Sequence, residues 1–427
     1  MGREERRVND TACLRNRSSH EVHHQNGPLL QRIEHYISRN YQSVTSTSTL
    51  LVVIFSLALY LVGSVFFDIG HYALHQMSKS RYRILRRVGY LHEVHHLYFN
   101  RRLKFNNKYR WQNMALELPL ELGCQLCGTF LGYLVAHSLG LTGPGLLTRE
   151  LLNLVMYFQV LRSLVVAILE GHDSNHKSYQ NTIPKDPNTF LVGPEFHAMH
   201  HVDPSAYIGS SIRLFDWLIG TSYTLHGRRI TMTGTSGAFA SAMKKAIDTE
   251  SVSCINELKF GLDWTYDDYA GCISTLEKTD ILILGHGSQT NSPMEANCTS
   301  ANALIALFKK HRVSRKGDLL LPEIWYLGSE LEVQPAWGST VAGKCAASKR
   351  EFARSARKYY DDEEVMYRHI AVSPSASGIG RALLGPEWAA SWAMWWIRRG
   401  ARFVPTSCVG FTSWDYFKFL YWDEKSI

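Results

Sequence analysis

The sequence predicts a multi-domain chain in two unlike parts: an all-α membrane domain carrying histidine boxes, then an α/β domain on a doubly wound parallel sheet. Three observations predict it. Residues 50–67 are an uncharged apolar run, long enough to cross a bilayer core with little tilt. Eleven of the 19 histidines lie between residues 71 and 201, and all but His137 fall in closely spaced boxes. After Leu225 the membrane-length apolar runs cease, and short buried-strand patterns alternate with helical ones.

At 427 residues the chain has room for two or three domains, and it is too apolar for disorder. Its net charge of +8 is modest, and no nucleic-acid motif accompanies it. The positive charge gathers beside apolar stretches, which points to an anionic cytoplasmic leaflet rather than to nucleic acid. Eight cysteines form no framework, and Cys124 and Cys127 in an apolar run read as helix-packing thiols.

Residues 1–48 form a polar N-terminal segment with no apolar signal region behind its arginines, and His20, His23 and His24 read as solvated. The membrane domain is expected over residues 49–223. Leu50–Phe67 crosses first, and His71 follows about one turn later. The segment Lys79–Arg110 carries ten Lys/Arg and one acid, Glu93. Residues 115–142 and 151–169 are apolar runs joined at Thr142-Gly143-Pro144-Gly145, a turn signal. They predict a helical hairpin that returns to the face it left. Arg162 within it is costly in lipid, so it either lines the substrate cavity or is a plain snorkelling or salt-bridged arginine.

The histidines fall into four boxes: His71 and His75; His92, His95 and His96; His172 and His176; His197, His200 and His201. Residues three and four apart share one helix face, so each box can aim its imidazoles at a common point. Four boxes hold more nitrogens than one metal accepts, which predicts two metals. Imidazole suits several metals and does not choose among them. Glu170, Asp173, Glu195 and Asp203 are near enough in sequence to orient the rings.

This pattern resembles the fatty acid hydroxylase superfamily, which includes the sterol desaturases, over about residues 50–223. All ten ligand positions of that family's di-metal site hold a histidine here. Tyr207 and Gly209, then Asp216, Leu218, Gly220 and Thr221, resemble the segments that follow the family's last box. The resemblance implies a non-haem di-iron oxygenase that hydroxylates or desaturates a lipophilic substrate, such as an acyl chain, a sterol, or a polyketide or terpenoid intermediate. It implies O2 as oxidant, with electrons from NAD(P)H through a membrane reductase and a b-type cytochrome. Alternatives are a wax-synthesis enzyme turning fatty aldehydes into alkanes, and a non-catalytic membrane scaffold.

In residues 226–427, Arg229–Thr233 reads as a strand and Gly234, Gly237 and Ala240 as the turn before a helix. Gly234 and Gly237 would let the backbone approach an NAD(P) pyrophosphate. Asp280–Gly287, Leu319–Leu327, His369–Ser373 and Phe403–Pro405 supply further strands of a Rossmann-like sheet. This half resembles the short-chain dehydrogenase/reductases. Asn302, Ser329 and Lys349 fit that family's asparagine, serine and lysine, but Cys345 occupies its tyrosine position. A thiol is shorter than a phenol, so the resemblance implies a degenerate, scaffolding domain.

Positive charge places the boxes and the C-terminal domain in the cytosol, on a multi-pass protein of the endoplasmic reticulum membrane. A lumenal amino terminus would then expose the Asn16 sequon to glycosylation, while the Asn297 sequon would stay unmodified.

Overall fold

A computed structural model describes residues 49–143, 145–179, 182–312, 318–332, 341–372 and 385–406, with Trp414 and Phe417. The N-terminal segment, its Asn16 sequon, Pro144 and Ser373 lie outside the described residues.

Among the described residues, four long helices open the first half: α1 (Thr49–Ser78), α2 (Arg83–Tyr98), α3 (Arg110–Ser138) and α4 (Arg149–Ile168). Three of the described segments, Thr49–Ser78, Asn107–Ser138 and Arg149–Ile168, are long and apolar enough to cross a membrane. Their polarity runs inside out. Leu50, Leu57, Leu131, Phe158 and Leu161 are exposed, while Asp68, Glu117, Gln125 and Gln159 are buried among the helices. The predicted hairpin is α3 and α4, and Thr148 caps α4 by accepting from the Leu151 amide at 3.3 Å. Two short helices follow, α5 (Pro194–Val202), with Pro194 in its first turn, and α6 (Leu214–Ile219).

The second half is a six-stranded, all-parallel sheet in the order β2-β1-β3-β4-β5-β6. Its strands are β1 (Arg229–Thr233), β2 (Cys254–Leu258), β3 (Ile281–Leu284), β4 (Glu323–Leu327), β5 (Met366–Ala371) and β6 (Phe403–Pro405). The order reverses between β1 and β3, the switch point of a doubly wound sheet. Helices α7 (Ala238–Asp248) and α10 (Pro386–Arg398) bury Phe239, Met243, Ala393 and Ile397 on one face, against Ile230, Ile283 and Trp325. Helices α8 (Ser300–His311) and α9 (Val341–Ser355) bury Leu304, Phe308 and Phe352 on the other, against Leu282, Ile324 and Tyr326. Strand β2 escaped the sequence reading. Cys-Ile-Asn-Glu-Leu is half exposed at the sheet edge and lacks the apolar run of a central strand.

The two halves meet at the amino-terminal edge of the sheet. Leu320, just before β4, packs against clusters containing Phe99, Ala198, Phe196 and Met199. Tyr223 donates to Glu323 at the start of β4 at 2.8 Å, and Arg402, just before β6, donates to the Asp186 carbonyl.

Candidate metal centre

Nine of the ten box histidines come together, in two adjoining groups. His71, His75, His92, His96 and His200 form one; His95, His176, His197 and His201 form the other. In each group the ligand atoms all lie within 4.8 Å of one another. The first two boxes ride on α1 and α2 and the fourth on α5, so helical spacing aims them as expected.

The third box departs from expectation. It lies in the turns after α4, not on a helix, so nothing stacks His172 over His176. His172 is exposed, packs its ring 4.2 Å from Phe105, and belongs to neither group among the described residues. Among the described residues, nine of the ten box histidines therefore stand in the two groups.

The outer nitrogens show what the inner ones offer. His71 Nδ1 lies 3.1 Å from the Ile208 carbonyl oxygen and His200 Nδ1 lies 2.9 Å from that of Ala206. A carbonyl only accepts, so each Nδ1 carries its hydrogen and each Nε2 is a bare lone pair. Yet His71 Nε2 and His200 Nε2 face each other at 2.9 Å. Burial, joined by the neighbouring histidines, holds His200 well below the usual imidazole range, so no second proton relieves the repulsion.

The other group repeats the pattern. His176 Nδ1 bonds Asp173 at 2.6 Å and His95 Nδ1 bonds Asn113 at 3.1 Å, while their Nε2 atoms stand 3.0 Å apart. Burial pushes His95 down to about 3. Two nitrogens at right angles on one ion, with bonds of roughly 2.1 Å, would sit roughly 3 Å apart. The donor set fits two cations.

Supporting groups were only partly legible. Of the four carboxylates considered, Asp173 orients a ring; burial opposes its charge, but His176 beside it holds its carboxyl well below the usual range. Glu170 instead pairs with Arg110, and Asp203 accepts from the Ser205 amide and hydroxyl. Glu195 lies beside Tyr179, whose phenol is pushed up first by burial and then by that carboxylate. One partner is not legible in the spacing, Asn113 on His95; Glu117 Oε1 also lies 2.9 Å from His92 Nδ1, but the two make no hydrogen bond. Arg162 meets both expectations, since it pairs with Glu121 at 2.8 Å and lines a cavity beside the histidines.

The segment after the last box has a definite task. Buried Asp216 accepts from the Ile208 amide at 2.9 Å, the Gly209 amide at 2.7 Å and the Thr221 hydroxyl. It thereby fixes the loop whose Ala206 and Ile208 carbonyls orient His200 and His71. Gly209 is required there, because a Cβ would stand 2.8 Å from the Asp216 carboxylate and 2.7 Å from the Ile212 carbonyl.

A second site opens at the carboxyl-terminal edge of the sheet. Gly234 has φ +68, and a Cβ there would lie 2.4 Å from the Gly285 backbone, so only glycine lets β1 turn into α7 against β3. Gly237 precedes the first turn of α7. A cavity of about 230 Å³ holds Gly237, Ser329, Cys345 and Lys349, and one of about 810 Å³ holds Gly234, Gly237 and Glu257; His286 borders both.

Asn302 is not on the cavity wall. Its amide bonds the Cys298 carbonyl and Ser355 Oγ, both at 3.1 Å, on the side of α8 away from the opening. Asn297, five residues earlier, lines it instead. It sits in a single π-turn, Glu295–Thr299, with Nδ2 3.0 Å from Ser348 Oγ and a buried, unpartnered Oδ1. Spacing on a regular helix cannot locate a residue in a π-turn. At 1% exposure Asn297 also offers no sugar acceptor in the folded chain. Burial pushes the Cys345 thiol up, although Lys349 works the other way, and burial with Lys349 pushes His286 down to about 3.

No family model matches the chain. A curated relative, the monoglucosyldiacylglycerol epimerase of Synechocystis sp., is 24% identical over 267 residues, covering 55% of this chain. The chain spans 64% of that relative's length. Among solved structures, a short-chain dehydrogenase from Burkholderia cenocepacia in complex with NADP is 13% identical, with a TM-score of 0.37. The match covers 48% of this chain and 97% of that one. A short-chain dehydrogenase/reductase from Burkholderia phymatum in complex with NAD is 12% identical, covers 45% and 92%, and has a TM-score of 0.36. The parallel sheet, with its strand order and switch point, is what makes the second half Rossmann-like.

Proposed function

We propose that the chain is an integral membrane oxidoreductase in which nine histidines hold two irons and O2 oxidises a lipophilic substrate by hydroxylation or desaturation. The observation that carries this reading is the pair of bare Nε2 contacts, His71 on His200 and His95 on His176, which need a cation between them. Bound iron supplies the oxygen chemistry that takes hydrogen from an unactivated C–H bond. The chain supplies the rest: buried walls that exclude water, and outer hydrogen bonds that hold His71, His200, His95 and His176 each in one tautomer.

Electrons come in this reading from NAD(P)H through a membrane reductase and a b-type cytochrome. The geometry of the sheet supports a separate donor. The helical half abuts its amino-terminal edge, while the cavity holding Cys345 and Lys349 opens at the other end of five-residue strands, on the order of 15 Å away. A nicotinamide bound there cannot pass hydride directly to a substrate at the histidines. NAD(P) binding at Gly234 and Gly237 is retained as a structural or secondary function. The basic segment 79–110 supports a cytosolic face for both sites, in the endoplasmic reticulum membrane.

The relative's name favours a second reading, redox-neutral epimerisation of a membrane lipid. Product mass separates the two. Lipids of a deletion strain and its parent, compared under 18O2, are expected to differ by a hydroxyl carrying label or by loss of two hydrogens. A product of unchanged mass would replace oxygenation with epimerisation.

A further inference from the structure

Beside the histidines, walled by α1 to α5 and two loops, lies a cavity of about 270 Å³. Its lining is polar although seven of its 19 residues come from membrane-length helices. Glu117, Glu121, Gln125 and Arg162 reach it from α3 and α4, and Asn175 and Ser210 from the loops. Polar and ionisable residues within such helices are costly and mark a functional cavity.

The lining also leaves hydrogen-bonding groups unmatched. Arg162 Nη1 and Gln125 Nε2 both give to Glu121 Oε1, at 2.8 and 2.9 Å, and Asn175 Nδ2 gives to the Ser210 carbonyl at 3.0 Å. Gln125 Oε1 and Glu117 Oε2 have no partner, on residues only 3% and 5% exposed, and neither do the ring nitrogens His92 Nδ1 and His197 Nδ1. An unmatched buried acceptor is destabilising, so the occupant must bring donors. A methylene chain brings none. Hydroxyl groups bring donors and can also accept. Tyr60 and Phe67 of α1 border the same cavity and supply apolar surface for a less polar portion.

We propose that this cavity receives the hydroxyl-rich head group of a membrane amphiphile, so that a head-group carbon, not a mid-chain methylene, is presented to the histidines. The proposal deepens the oxygenase reading and rests on it for the chemistry, while the binding itself stands on the cavity. The test uses the full-length, iron-loaded protein in nanodiscs, with calorimetry against dioctanoyl glucosylglycerol, dioctanoylglycerol and free glucose. The glycolipid is expected to bind at least about tenfold more tightly than the diacylglycerol or the sugar, the effect of pairing one buried acceptor.

Gln125→Met, nearly isosteric but without the acceptor, is expected to cut that preference to about threefold or less. Gln125→Asn, which keeps the amide but draws it back, should fall between. Iron content and thermal melting at wild-type values report intact folding in both variants. Equal binding of diacylglycerol and glycolipid, or a preference unmoved in both variants, would overturn the head-group assignment. Equal binding of free glucose would overturn the membrane-amphiphile half. Iron below two per chain in a wild-type protein that still prefers the glycolipid would sink the oxygenase reading and leave this one standing.

Discussion

At the histidine centre most donors lie within one helical turn of another donor, whereas the cavity on the sheet gathers residues separated by more than a hundred positions. His92, His95 and His96 share α2, and His197, His200 and His201 share α5. Gly237 before α7, Ser329 after β4, and Cys345 with Lys349 on α9 come from three separate places in the chain. The first arrangement is local, so its geometry follows from helix periodicity. The second depends on strand order and on where each helix starts, which short spacings do not encode. The difference teaches which sites a lone sequence can disclose.

The largest effect that sharpens this contrast falls on one box. His176→Ala should drop iron from two to one per chain and abolish oxygen-dependent turnover. His172→Ala, two turns of loop away on the same sequence motif, should leave both unchanged. Iron analysis of the two variants checks it, and equal loss in both would restore all ten histidines as ligands.

Next come the groups that hold the rings. Asp216→Ala frees the loop that orients His71 and His200, and Asp173→Asn weakens the hold on His176. Each is expected to lower metal affinity roughly 10- to 100-fold at its own group only, measured by chelator competition. Loss at both groups from either change would show that the two groups do not act separately.

A smaller effect is expected at the sheet. Lys349→Ala should leave iron content and the oxidation step within about twofold of wild type, because the group one turn before Lys349 on α9 is the Cys345 thiol and not a phenol that could transfer a proton. Accumulation of a ketone or aldehyde in a folded Lys349→Ala protein would make the sheet cavity a working reductase.

The smallest concerns stability. Burial alone would raise the Asp280 carboxyl, but Arg229 and Arg312 hold it at about 2. A carboxyl depressed in the folded state contributes stability above its unfolded pKa and loses it as pH falls through the folded value. Asp280→Asn should therefore cost about 1 kcal/mol at neutral pH, read as a melting-temperature drop of a few degrees. The gap between variant and wild type should close as pH falls from about 4 toward 2. A gap that persists at low pH would assign the loss to packing instead.

Much of the fold was legible. The run from Leu50, the hairpin punctuated at Gly143, and the strands at Arg229, Ile281 and Phe403 all announce themselves by apolar pattern and turn residues. Edge strand β2 did not, because half of it faces water. Eight of the nine grouped histidines sit on helices, where spacing brings them to one face. His172 stands apart because its box has no helix under it, and spacing points to Asn302 while Asn297 lines the cavity, because a π-turn shifts the helix register. Asp216 was noticed only as part of a pattern. Its work, bracing two carbonyls that brace two imidazoles, requires contacts across the loop that no spacing reveals.

The central claim is that the two Nε2 clusters each hold a cation. Iron per chain, measured on the full-length protein after anaerobic loading and removal of loosely bound metal, tests it most directly. Two irons in the wild type and one in His176→Ala are expected. One iron or none in the wild type, or two that persist in His176→Ala, would contradict it.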